Sequence, residues 1–230
     1  MTEILSLLSY LDYSALMFFL LSWFAFEYIN DFGERGRQST STLMAEMRRN
    51  WMLVMAEREI RIVDTAIMSG QLQAAAFFAS ASILGIGGCF ALLGATDQIL
   101  QIYQDLPVTN SESRAILEIK VLGLTCIFIY AFFKFGWAFR LFNYSSILIG
   151  AVPSNPDAPL EERQEKALQA AEMNIVASQH FTAGLRGIFM ALAFLGWFVG
   201  AIALYCSTIL ILLVLIRRQY FSRARKILLD

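Results

Sequence analysis

The sequence predicts an all-α polytopic membrane protein with about four transmembrane helices and one long amphipathic cytoplasmic helix. Three observations carry that reading. Of the 230 residues, 57% are hydrophobic and only 16% are charged, whereas soluble domains average about 45–50% apolar and about 25% charged. Mean hydropathy is +0.57. The apolar residues gather into segments of bilayer length, separated by polar connections. Disorder, collagen and a small secreted disulfide scaffold are excluded, and an ordinary soluble enzyme is disfavoured. A net charge of −1 removes the basic excess of a nucleic-acid binder.

The first expected span is 11–29. Asp12 and Glu27 fall at its two interfaces, and Trp23 and Tyr28 suit an aromatic belt. The stretch before it carries no Lys or Arg, so it does not read as a secretory signal. A cytoplasmic helix is expected over 41–65, capped by Ser41. Its pairs would be Glu46–Arg49, Glu57–Arg61 and Arg61–Asp64, and its apolar stripe Met44, Met47, Trp51, Met55 and Ile62. It can continue into the second span with a bend near Ser69 and Gly70.

The second span, 72–93, repeats small residues at helical spacing: Ala75 and Ala79, then Ala81, Gly85 and Cys89. Such a stripe lets another helix approach closely. The external loop, 95–118, is acidic and ends a short amphipathic turn at Pro107. The third span, 121–139, crowds aromatic residues into its second half around Lys134. A turn at Ser154–Pro159 follows, with Asp157 as helix cap. The helix after it presents Leu168, Ala171, Ile175, Ser178 and Thr182 as a packing face.

The fourth run, 187–216, has no charge and would extend about 45 Å as one helix, longer than the hydrocarbon core of about 30 Å. Gly196 and Gly200 sit near its middle, as a close-packing face or as a break. Hydropathy gives four crossings with the N-terminus outside, which puts only a thin majority of Lys and Arg inside. A fifth crossing, turning at Gly196–Gly200, would bring the basic tail inside as well. It would place Glu172, Asn174, His180 and Arg186 in the incoming span. Four crossings is the preferred reading, in an inner or plasma membrane.

Several strings are distinctive together: Arg49-Asn50-Trp51-Met52, Arg58 through Thr65, Tyr130 through Trp137, Phe142-Asn143-Tyr144 and Gly184 through Gly187. On these the chain resembles the bacterial and plant membrane family called domain of unknown function 599, over roughly residues 10–225. The resemblance implies a helical integral membrane protein and lends no site residue.

No catalytic constellation is present and no enzyme is expected. His180 is the single histidine, which removes a His-rich metal site, and Cys89, Cys126 and Cys206 lack metal-ligand or disulfide spacing. No cofactor is implied. The functional candidates are Arg58, Arg61, Lys134, Arg140 and Arg186, expected to converge at the cytoplasmic surface. They would form a site for an anion or lipid head group, or else a structural set neutralised by Asp64, Glu57, Glu59 and Glu172. Self-association is expected through the Ala75/Ala79/Ala81/Gly85 face or the Gly196/Gly200 face. The expected partners are membrane lipids and further copies of the chain or a larger complex. The role is that of an oligomeric channel or transporter, or alternatively a non-catalytic scaffold.

Overall fold

The computed structural model describes residues 8–32, 39–104, 113–155 and 158–229, and among these there are helices and no strand. The elements are α1 (Tyr10–Phe32), α2 (Thr40–Glu57), α3 (Ile62–Gly94), α4 (Thr96–Gln104), α5 (Arg114–Ala151), α6 (Leu160–Phe194), α7 (Gly196–Val199), α8 (Ala201–Tyr220) and α9 (Arg223–Leu229). Pro107 and Asp157, expected to end one turn and cap a helix, lie outside the described residues. Four stretches are long and apolar enough to cross a membrane: Ile62–Gly94, Arg114–Ala151, Leu160–Val199 and Ala201–Leu229; the expected first span, 11–29, lies in α1 and is not among them, and the expected fourth, 187–216, is divided between the last two.

The centre of the bundle is the antiparallel pair α5 and α6. Glycines on each helix receive aromatic rings from the other. A Cβ on Gly184 would lie 2.7 Å from the Phe135 ring, one on Gly187 3.1 Å from Tyr130, and one on Gly123 2.6 Å from Phe194. Each ring fills the space that a side chain would take, so the backbones approach closely. α3 packs antiparallel along α5 with Met68, Ala75, Ser82 and Cys89 buried. That seven-residue interval is the repeat of a left-handed helix pair. A Cβ on Gly85 would meet the Phe128 ring at 2.9 Å. The small-residue face of the second span is therefore covered by the chain's own α5.

The run 187–216 is divided. α6 ends at Phe194, and Gly200 adopts φ 150° and ψ 171°, a region open in practice only to glycine. α8 then returns. The register of the return is fixed at both ends. Trp197 Nε1 donates to Asp12 Oδ1 at 2.8 Å. Thr40 Oγ1 donates to the Gln219 carbonyl at 3.0 Å, and Tyr220 OH pairs with Asn30 Oδ1 at 3.0 Å. α8 thus runs parallel to α1, and both are antiparallel to α6. The Gly196/Gly200 pair makes this turn: a Cβ on Gly196 would lie 2.7 Å from the Ala203 carbonyl oxygen. It too is used inside the chain. The chain takes the arrangement with a turn at Gly196–Gly200, because no single helix could satisfy these contacts at both ends.

The amphipathic helix also departs from its expected bounds. Ser39, not Ser41, caps α2, accepting from the Thr42 amide. Ser41 instead accepts from Gln219 Nε2 at 3.0 Å. The helix stops at Glu57, where Arg58 turns extended (ψ 136°), and α3 passes Ser69 and Gly70 without interruption. Asp64, fully buried, joins the two helices by accepting from Trp51 Nε1 at 2.7 Å and Arg58 Nη1 at 2.9 Å. The buried face of α2 is Met52, Met55 and Ala56, packed on Ala167, Ala170 and Ala171 of α6. Met44, Met47 and Ile62 of the expected stripe are exposed. Likewise Leu168 of the expected α6 face is exposed, while Ala171 and Ile175 are buried.

Candidate functional site

The bundle has two ends. One, the α2 end, gathers the C-termini of α1, α5 and α8 with the start of α6. The other, the Gly200 end, holds the start of α1, α4 and α7. At the α2 end a cavity of about 710 Å³ opens between α1, α2, α6 and α8, with Lys134 reaching it from α5. Arg48, Arg49, Lys134, Arg186 and Arg218 line it, and its described lining includes no Asp or Glu. Phe26, Leu185, Phe189 and Leu215 supply an apolar side.

Each cation is held differently. Arg48 enters from α2, and its Nη1 donates to Asn174 Oδ1. Asn174, fully buried on α6, passes the connection on by donating to Gln71 Oε1 of α3 at 2.8 Å. Arg48 Nε is buried without a partner among the described residues, and burial lowers the guanidinium pKa from its ordinary value. Arg49 donates to Glu172 Oε1 at 2.6 Å and to Glu46 Oε2 at 3.2 Å. The Glu172 hydrogen bond is the main reason that its pKa is raised.

Arg186 forms a bidentate pair with Glu27 of α1, Nε to Oε1 at 3.0 Å and Nη2 to Oε2 at 2.5 Å. Trp23 Nε1 also donates to Glu27 Oε1, at 3.4 Å. Lys134 Nζ lies 5.4 Å from the Tyr130 ring centre, and the Arg218 guanidinium 5.6 Å from that of Phe189. Among the described residues neither has an ion-pair partner.

Of the five cations singled out from sequence, the cavity gathers Lys134 and Arg186. Arg58 is committed to Asp64. Arg61 donates to the carbonyls of Val152 at 2.6 Å and Pro153 at 2.9 Å, holding the end of α5, where unsatisfied carbonyls attract a cation. Arg140 stacks on Trp137 and Tyr144 on an exposed face of α5. One shared cluster is therefore replaced by a cavity and, apart from it, Arg58 and Arg61 fastening α2, α3 and α5. Arg48, Arg49 and Arg218 join the site instead. Their signal was the turn at Gly196–Gly200: once α8 returns to the α2 end, Arg218 faces Arg48 and Arg49 of α2 across the cavity.

The packing candidates are all placed. Ala75 is fully buried, Ala79, Ala81 and Gly85 are half-buried along α5, and Gly196 and Gly200 form the turn.

A bundle of helices long and apolar enough to cross a membrane, with a basic cavity let into one end, defines a multi-pass integral membrane protein. A family model described as "Protein of unknown function, DUF599" matches residues 14–224, and the chain belongs to that family. No curated protein and no solved structure matches it.

Proposed function

We propose that the protein is a channel- or transporter-like membrane protein that takes an anionic group, free or borne by a lipid, into the cavity at the α2 end. The observation that carries this reading is the cavity lining: five cations, no carboxylate among the described lining residues, and Lys134 and Arg218 without ion-pair partners among the described residues. Depth supports it. Ser178 and Phe189 both line the cavity and lie eleven residues apart on α6, about 16 Å along the axis. Ser178 to Trp197 is about 28 Å, close to the thickness of the hydrocarbon core. The cavity then enters about half of the membrane from one side. The α2 end is cytoplasmic and the N-terminus outside, because the α2 end collects most of the Lys and Arg.

The test uses protein in nanodiscs with sulfate as probe, with and without phosphatidic acid in the disc. Sulfate binding that is weakened by Lys134→Gln and Arg218→Gln supports an anion site. Competition by phosphatidic acid assigns it to a lipid head group. Sulfate flux in proteoliposomes distinguishes transport from binding alone, and no binding of either probe overturns the reading. For orientation, Asn50→Cys should react with an impermeant maleimide only in opened cells and Asp97→Cys in intact ones, beside the unsubstituted chain as blank.

A scaffold reading is favoured by a different observation. Only 11% of the apolar stretch of α3 is buried, and Phe77, Ile83, Leu84 and Phe90 are exposed. That face suits a second copy or a partner helix. Replacing Leu84 and Phe90 by Ala should lower the oligomeric mass in detergent if copies meet there.

A further inference from the structure

Arg186 carries a carboxylate in the geometry in which it would carry the proposed ligand. A guanidinium binds carboxylate and tetrahedral oxyanions alike, through two parallel N–H donors. Glu27 already occupies that fork. The pair is largely withdrawn from solvent, with side-chain exposures of 9% for Arg186 and 17% for Glu27. It lies about a turn and a half from the end of α1. Arg186 lines the cavity, while Glu27 is not among the lining residues. Ionisable pairs inside a bundle cost desolvation, and apolar residues hold helices together at least as well.

We infer that Glu27 is a built-in occupant of the anion site, so that binding an anion at Arg186 is coupled to uptake of a proton by Glu27. The inference rests on the anion-site reading above. An anion reaching Arg186 comes beside the Glu27 carboxylate, and two like charges in a partly buried site do not both stay ionised. The incoming anion keeps its charge, and the proton comes from the aqueous cavity onto a Glu27 oxygen. Trp23 Nε1 still donates to the protonated carboxyl, whose own O–H can donate to the bound anion.

The surrounding groups decide what else can titrate. From α6 come Arg186 and His180, from α5 Lys134 and Tyr130, and from α8 Arg218. α2 contributes Arg48 and Arg49, and Tyr28 neighbours Glu27 on its own helix. His180 is the other group there whose side chain changes charge near neutral pH by type, so Glu27 and His180 are the two proton sources to be separated.

Sulfate is the probe because it remains a dianion across that range. Its binding to the full chain in nanodiscs is measured calorimetrically between pH 5.5 and 8 in two buffers of different protonation enthalpy. The wild type should take up close to one proton per sulfate, and affinity should rise by up to about tenfold per pH unit on acidification. Glu27→Gln should bind sulfate at pH 8 at least tenfold more tightly than wild type and take up no proton at Glu27. His180→Gln should keep the wild-type uptake. Sulfate bound by the wild type without proton uptake overturns the coupling and leaves the anion site standing. Uptake abolished by His180→Gln but kept by Glu27→Gln overturns it as well. No sulfate bound by either wild type or Glu27→Gln overturns both the site and the coupling. The wild-type proton count needs no variant, and His180→Gln removes the competing acceptor whether or not Glu27→Gln folds.

Discussion

The two ends of the bundle each bring a cation inside, and they treat it in opposite ways. At the Gly200 end Lys120 is 1% exposed, with Nζ 5.5 Å from the centre of the Trp197 ring. Phe194 packs edge-on against both Trp197 and Phe19. Ala15, Val121, Leu124, Met190 and Leu204 fill the rest of that layer. At the α2 end Arg186 faces a cavity lined by other cations. Large rings close one end, while small and polar residues such as Ser178, Thr182 and Ala183 leave the other open. A charge within an apolar run therefore does not mark a cavity by itself; the volumes of its neighbours decide. The contrast leaves the cavity at the α2 end and packed aromatic rings at the Gly200 end.

The largest test of that contrast is Trp197→Ala. It removes the centre of the seal and should cost about 3–5 kcal/mol, read as a lower melting temperature in detergent. Sulfate affinity at the α2 end should stay within twofold, since Trp197 belongs to the other layer. A stable variant would mean that the ring does not hold the layer.

Next in size is a pair of glycine changes. Gly196→Ala drives a methyl toward the Ala203 carbonyl, which is backbone and cannot rotate away. It should cost about 1–3 kcal/mol. Gly85→Ala meets the Phe128 ring first, which can turn, so its melting temperature should fall less. Equal effects would show that the turn at Gly196–Gly200 is not tightly packed.

At the open end, Lys134→Gln should weaken sulfate binding by about fivefold, or roughly 1 kcal/mol, the usual net contribution of one hydrogen bond. The same change should leave the melting temperature unaltered, because Lys134 makes no ion pair among the described residues. The smallest effect is expected at Arg114, whose contacts with Glu118 at 2.8 Å and Asp97 at 3.1 Å are solvent-exposed. Arg114→Gln should give no resolvable change in melting temperature. A clear drop would mean that this network, too, closes the Gly200 end.

The apolar runs were legible from composition because burial in lipid demands a long uninterrupted stretch. Span 72–93 lies within Ile62–Gly94, and 121–139 within Arg114–Ala151. The helices are longer than those runs because polar residues continue them beyond the hydrocarbon, as Glu161 to Glu172 do on α6. Two of the five cations of the site were legible as well. Lys134 and Arg186 stand out as charges in apolar surroundings, whereas Arg48 and Arg49 sit in a helix whose polar face is unremarkable in sequence.

By itself, then, the sequence determined an all-helical membrane protein, the apolar segments 72–93 and 121–139, and its membership of a family. Those properties follow from hydropathy and from local hydrogen bonding within each helix. The tertiary structure decided three further matters. It turned the chain at Gly200, where a single backbone conformation divides an unbroken apolar run into two antiparallel helices. It covered the Gly85 and Gly196 faces with the chain's own side chains and backbone. It set Arg61 on the end of α5 and Arg186 against Glu27 across the bundle. Each of these depends on residues far apart in sequence meeting in space, and local periodicity carries no information about which helix lies opposite a given face.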